Sequence, residues 1–397
     1  MRNILISGAS IAGPALALWL NRYGFTTTVV EKAPALRDGG QAVDFRGNQL
    51  DVLRRSGLLD EVRRHQTNMG PQAVLDERGR QVASIPAEFM SGEVEILRGD
   101  LSRILFDATK DRTEYVFGDR ITSLTEVADG VEVRFAHGGP RKFDLVIGAD
   151  GLHSGVRALA FGPESRFRTD TGVHFAGFTA PNHLGLDRSG LLYNVPGRGV
   201  MLQSKHGGAQ ANVGLWFRAE RLPAARRDVR EILHEQFRDV GWEMPALLAA
   251  LDEADDLFAD SLCQVHLDHY TRGRIALVGD AAWGAGPGGG GTGLAMMTAY
   301  VLAGELAAAE GDHRIAFPAY EREVRGAAEA GLKQARGAGG FLVPATSAAI
   351  RRRILTYRLL CARPLFRLFL KLAVKAANVL TLKDYPAATS GGLRTRR

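Results

Sequence analysis

The opening stretch of the chain allows very few folds. An apolar run, NILISG (3–8), meets the loop GASIAG (8–13). The helical pattern PALALWLNRY (14–23) follows, then Gly24 and the β-branched run TTTVVEK (26–32). Strand, glycine loop, helix and second strand within about 30 residues predict a parallel βαβ unit. Gly8 permits a tight turn out of the first strand. Gly13 lets the helix lie close on that strand, so that free N–H groups at its start face a pyrophosphate. The middle position of this glycine pattern is Ser10, a small residue with a hydroxyl donor. Ser10, Ile11 and Ala12 complete the loop. Glu31 closes the second strand, followed by Lys32, where an acid accepts a ribose 2′-OH. That acid opposes a 2′-phosphate, leaving FAD or NAD as the dinucleotide rather than NADP.

Two later stretches have similar strand-to-loop character. DLVIGADGLHSGVR (144–157) places Asp150 after an apolar strand, with Ser154 and Arg157 beyond it. GDAAWGAGPGGGGTG (279–293) follows the strand RIALVG, and eight of its fifteen residues are glycine. Glycine loses more freedom on folding than any other residue, so bare backbone is needed here. A flat ring lying against the main chain at the start of the next helix supplies that need. Asp280 is placed to accept from a sugar or ribityl hydroxyl.

At this point the sequence resembles the class A flavoprotein monooxygenases, which include aromatic hydroxylases and tetracycline-inactivating oxygenases. The likeness runs over about residues 3–330. GASIAGPA with Glu31 is similar to the family's dinucleotide fingerprint, GADGLHSGVR to its Asp-Gly motif, and GDAAWGAGPGGGGTG to its Gly-Asp motif. Arg98 in RGDLSRIL matches an Arg-x-x-Leu helix that touches FAD. RDGGQAVDFRG (37–47) matches the flavin loop, bringing in Arg37, Gly40 and Gln41. The resemblance implies FAD as cofactor and NAD(P)H as a transient co-substrate. Reaction with O₂ through a flavin C4a-hydroperoxide then oxygenates an aromatic or polyketide-like molecule, as in secondary metabolism. It also implies roles for Pro287, Gly290, Gly291, Thr292 and Gly293 around the ring. Three departures stand out: Ser10 for glycine, Trp283 where many members have histidine, and Gly290-Gly291-Thr292 for Gly-Gln-Gly. A reductase or halogenase on the same scaffold, or a non-catalytic FAD-binding redox protein, are the alternatives; the halogenase W-x-W-x-I-P stretch is missing.

The implied architecture is α/β. A Rossmann-like FAD-binding domain (1–165 and 260–330) is interrupted by a β-rich substrate domain with helices (166–259). C-terminal helices (331–385) and a disordered tail (386–397) follow. Between flavin and insert, the expected substrate pocket comprises Arg46, Phe175, Phe178, Tyr193, Gln203, Asn212, Trp216 and Trp283. Alternation puts Asn212 and Trp216 on one strand face. Asp44 is a candidate general base, and Arg46 a candidate to gate flavin or hold an acidic substrate.

Charge and composition set the remaining bounds. The chain has 397 residues and a formal net charge of +6, yet 341–397 holds twelve Lys or Arg and one acid, Asp384. The basic character belongs to the tail, which argues against nucleic-acid binding by the whole protein. The tail helices, broken near Pro344 and Pro364, can pack on the body or lie on an anionic membrane; packing is the favoured reading. The histidines lack metal-ligand spacing, and no metal is expected. Two distant cysteines, Cys263 and Cys361, give no disulfide framework and suit a cytoplasmic monomer or homodimer.

Overall fold

The computed structural model describes residues 2–37, 40–205, 207–220, 228–286 and 290–361. Beyond these it describes 365, 366, 368, 370–372, 374, 378 and 380–385. The run Asn3–Ser7 forms an inner strand of a six-stranded sheet. Its order is Thr271–Arg272, Ile275–Leu277, Leu145–Gly148, Asn3–Ser7, Thr26–Glu31, Thr113–Phe117. Every pairing but the outermost, Thr271–Arg272 with Ile275–Leu277, is parallel. Ile4, Leu5, Ile6, Val146 and Ile147 are wholly buried, as a parallel sheet covered on both faces requires. The helix Ala12–Arg22 returns the chain between the first two parallel strands. The helix Gly291–Ala308 is buried throughout Gly293–Leu306, which a sequence apolar almost all round allows; the acid in that stretch, Glu305, accepts from Tyr385. Trp19 and Tyr300 join these two helices edge to face, 4.7 Å between ring centres.

Chain order reverses at Asn3–Ser7. The next strand, Thr26–Glu31, lies on one side and the later strand Leu145–Gly148 on the other. Such a switch point opens a crevice at the carboxyl ends of the strands, where ligands bind in open α/β sheets.

The second sheet has seven strands. Their order is Phe258–Val265, Arg168–Pro181, Gln210–Arg218, Arg198–Ser204, Gly190–Val195, Gln72–Leu75, Gln81–Ile85. All pairings are antiparallel except Gly190–Val195 with Gln72–Leu75. The last two strands come from a segment expected in the nucleotide-binding domain. They are four and five residues long, too short for their own pattern to say which sheet they join. Helices Val229–Phe237 and Met244–Glu253 pack on one face through Leu233, Phe237, Leu247 and Leu251. Helices Ala338–Leu342 and Ser347–Leu360 follow the long helix His313–Ala335. They place Val343 and Tyr357 on the other face. The break expected near Pro344 lies between them; Pro364 and 386–397 fall outside the described residues. A two-stranded ribbon, Ala42–Phe45 with Val94–Leu97, and a three-stranded sheet of Ile121–Val127, Gly130–Phe135 and Arg141–Phe143 complete the strands described.

Candidate active site

Three strand ends meet at the crevice. Ser7 pairs in register with Gly148, and Gly148 with Leu277. Gly8, Asp150 and Asp280 therefore leave the sheet side by side. Gly8 has φ +106°, and a Cβ there would lie 2.5 Å from the Ala149 carbonyl oxygen. At Gly13 a Cβ would fall 1.9 Å from the Gly8 carbonyl oxygen. Both glycines are thus demanded by close backbone approach. The helix Ala12–Arg22 starts with no side-chain cap and no acid in its first turn, leaving its first N–H groups for an anion. Glu31 accepts from the Ala9 and Ala33 backbone N–H groups, each at 2.9 Å, so its carboxylate stands beside the loop. Ser10 is integrated in its own way. Its hydroxyl accepts from Arg98 Nη2 at 3.2 Å, while Ser102 Oγ donates to its carbonyl at 2.9 Å. The Arg98 N–H donates to the Gln41 carbonyl at 3.0 Å, which brings the loop containing Gly40 to the same place. Lys32 and Arg37 are exposed.

Asp150 ties the end of the first strand to the start of the second motif's helix. It accepts from Ser7 Oγ at 3.2 Å, from the Val156 N–H at 3.1 Å and from Ser154 Oγ. Burial pushes its carboxyl pKa up, and those hydrogen bonds oppose the rise. Arg157 is wholly buried. It donates to the Ala281 carbonyl at 3.0 Å and the Leu152 carbonyl at 2.6 Å, so the second motif holds the backbone of the third.

Asp280 differs. It retains accessible surface, yet lies deep enough that desolvation raises its carboxyl pKa, with Arg98 as the opposing charge. It has no hydrogen-bond partner among the described residues. A Cβ on Gly291 would come 3.6 Å from its Oδ1. The helix Gly291–Ala308 begins at Gly290, with φ +64°, and again lacks a side-chain cap or first-turn acid. Thr292 is half-buried beside it. Gln49 fills the space that two glycines leave: a Cβ at Gly293 would lie 2.4 Å from Gln49 Cδ, and one at Gly290 3.0 Å from Nε2. Gln49 Oε1 also accepts from the Arg46 N–H at 3.2 Å. Pro287 lies outside the described residues.

The expected pocket residues divide between sheet faces. Phe175 pairs with Trp216, and Gln203 with Asn212; by alternation all four share the face toward Val343. Phe175 and Trp216 are 4.9 Å apart and pack with Val173 and Val343. Gln203 and Asn212 are half-buried, and their side-chain amides have no hydrogen-bond partner among the described residues. Phe178 and Tyr193 belong to the opposite face, in the core against the two helices there. Tyr193 stacks on Trp242 at 5.0 Å. An odd offset along a strand reverses a side chain's face, which removes both from the pocket. Trp283 lies in the core of the first sheet rather than in the expected pocket: it is 2% exposed and packs against Tyr270 at 4.9 Å. Asp44 Oδ2 accepts from Arg46 Nε at 2.6 Å, and Arg46 Nη2 donates to the Phe89 carbonyl at 2.6 Å. Asp44 orients Arg46 and is not a free base.

A family model described as an FAD binding domain matches residues 1–335. A flavin-dependent monooxygenase from an unknown prokaryotic organism is 39% identical, over 83% of this chain and 87% of its own length. The chain belongs to the flavin-dependent monooxygenase family. An uncharacterized protein of Mycobacterium tuberculosis (strain H37Rv) is 40% identical over 83% of this chain and 91% of its length. The crystal structure of tetracycline destructase Tet(51) covers 97% of this chain and 100% of that one, at TM-score 0.85 and 32% identity.

The residues present fit the cofactor of a flavin-dependent monooxygenase. Among the described residues Asp280 is a desolvated carboxylate without a hydrogen-bond partner, and two uncapped helix starts flank it. Sequence reasoning missed Gln49. Its contacts are with glycines far along the chain, so no local pattern marks it. Arg157 is visible within its motif, but its grip on the Ala281 carbonyl depends on tertiary contact.

Proposed function

We propose that this chain uses NAD(P)H and O₂ to insert one oxygen atom into an aromatic or polyketide-like small molecule. When bound, FAD supplies the redox chemistry, taking up hydride and activating O₂ for transfer of one atom. Glu31 would accept from the adenosine ribose, the start of helix Ala12–Arg22 would face the pyrophosphate, and Asp280 would accept from a ribityl hydroxyl. The start of helix Gly291–Ala308 would place positive backbone dipole at the ring.

The observation that supports this substrate class is the pair of amides, Gln203 and Asn212, which have no hydrogen-bond partner among the described residues, beside the Phe175–Trp216 pair. Apolar rings take up a flat carbon skeleton, and the amides can donate to or accept from its carbonyl and hydroxyl groups. Arg46, fixed by Asp44 and Phe89, would offer its remaining guanidinium N–H groups as donors to an enolate or phenolate oxygen. Product mass analysis with ¹⁸O₂ across phenols, polyketides and indoles tests the proposal. One labelled oxygen per product, with NAD(P)H consumed, is expected; consumed substrate with unlabelled product refutes it. For an accepted substrate, Gln203→Ala and Asn212→Ala should each raise KM about 2- to 10-fold, one hydrogen bond's worth. An unchanged KM in both would remove the amides from the site.

A further inference from the structure

We propose that the outer face of the C-terminal helices docks on an anionic membrane surface. In helix Ser347–Leu360, Arg353 and Tyr357 face inward. Arg353 donates to the Phe341 carbonyl, and Tyr357 packs edge to face on Phe341 and Phe89. This fixes the orientation of the outward side. There Leu355 and Leu359, four residues apart, are 56% and 55% exposed. Arg351, Arg352 and Arg358 are exposed around them. The guanidinium groups of Arg351 and Arg352 have no partner among the described residues. Further on, Leu365, Leu368 and Leu372 recur at helical spacing, each at least 47% exposed, with Lys371 also exposed. An isolated exposed leucine is ordinary, but a row of them is not.

Charge selects the occupant. From residue 330 to 383 the sequence has eleven Lys or Arg and no Asp or Glu. Arg353 turns inward and Lys383 pairs with Glu323, but a symmetric contact with a second copy would still set the exposed Arg351, Arg352, Arg358 and Lys371 against their own copies. A leaflet of anionic lipid instead neutralises the arginines while the leucines enter the acyl boundary. Among the described residues no helix is long and apolar enough to cross a membrane, so the geometry is one of lying along the surface. A surface-held enzyme of this kind would meet lipophilic substrates where they partition.

Flotation of the FAD-loaded full chain with phosphatidylglycerol/phosphatidylcholine vesicles, compared with phosphatidylcholine alone, tests this. Binding to the anionic vesicles only, released by added salt, is expected. The double substitution Leu355→Ser/Leu359→Ser should weaken binding at least tenfold, as loss of two buried leucines implies. Arg351→Glu/Arg352→Glu should weaken it roughly tenfold or more. Absence of flotation, or equal flotation with neutral vesicles, overturns the proposal. So does a dimer that dissociates on Leu355→Ser/Leu359→Ser in a protein that ignores vesicles.

Discussion

Asp280 and Trp283 stand three residues apart in one motif, and their surroundings give them opposite roles. Asp280 has a desolvated carboxylate with no hydrogen-bond partner among the described residues, a cost that a ligand hydroxyl would remove. We expect Asp280→Ala to purify colourless and to bind FAD about 10- to 100-fold more weakly, measured by titrating apoprotein with FAD. Retention of stoichiometric yellow flavin would place the ribityl site elsewhere. Trp283 is closed in against Tyr270. Trp283→Phe should cost on the order of 1 kcal/mol in urea unfolding and leave substrate KM unaltered. A shifted KM with unchanged stability would return this side chain to the pocket.

Between elements, His153 links the two sheets by charge. Its Nδ1 lies 3.0 Å from Glu164 Oε1, and its Nε2 lies 2.9 Å from Asp260 Oδ2 on the edge strand Phe258–Val265. Two ring nitrogens facing two carboxylates call for the doubly protonated ring. The hydrogen bond to Asp260 is the largest influence raising its pKa, with Glu164 adding to it. Arg168, 3.1 Å from Glu164, and Arg157, 3.7 Å from it, share these acids. A folded-state pKa above the unfolded value means stabilisation that is complete below about pH 6.5. It is lost as pH rises through the raised value. His153→Gln should flatten that part of the urea-midpoint curve against pH; an unchanged curve would show that the clamp contributes nothing.

Across the whole molecule, the segment from Asn378 to Tyr385 is strapped onto both the turn after Ala42–Phe45 and the helix Gly291–Ala308. The Asn48 N–H donates to Asn378 Oδ1 at 2.8 Å, next to the turn that carries Arg46 and Gln49. Tyr385 donates to Glu305 Oε1 at 2.8 Å, its ring lying where a Cβ on Gly304 would approach Cδ2 to 2.1 Å. Gly304→Ala should therefore expel the strap and expose it to proteolysis. Because both changes act on one contact, Gly304→Ala and Tyr385→Ala should be non-additive in thermal unfolding, with a coupling of about 1–3 kcal/mol. Strict additivity would show that the strap is only resting on the helix.

The nucleotide-binding half was legible because its rules are local. Gly8, Gly13 and Glu31 sit within one βαβ unit, and the runs around Asp150 and Asp280 each follow an apolar strand that can only be buried. The substrate half was less so. Alternation within a strand put Asn212 and Trp216 together, and the odd offset from Phe175 to Phe178 already separated those rings. Which face of Gly190–Val195 carries Tyr193, however, depends on its register with Arg198–Ser204. That Gln72–Leu75 joins this sheet, that Gln49 fills the glycine gap, and that Trp283 is core were likewise decided by pairing and packing between distant segments. Sequence determined the cofactor class, because a phosphate loop is a short-range demand on backbone shape. Tertiary structure determined which side chains share a sheet face, because the direction a side chain faces depends on the register and layering of segments far apart in the chain.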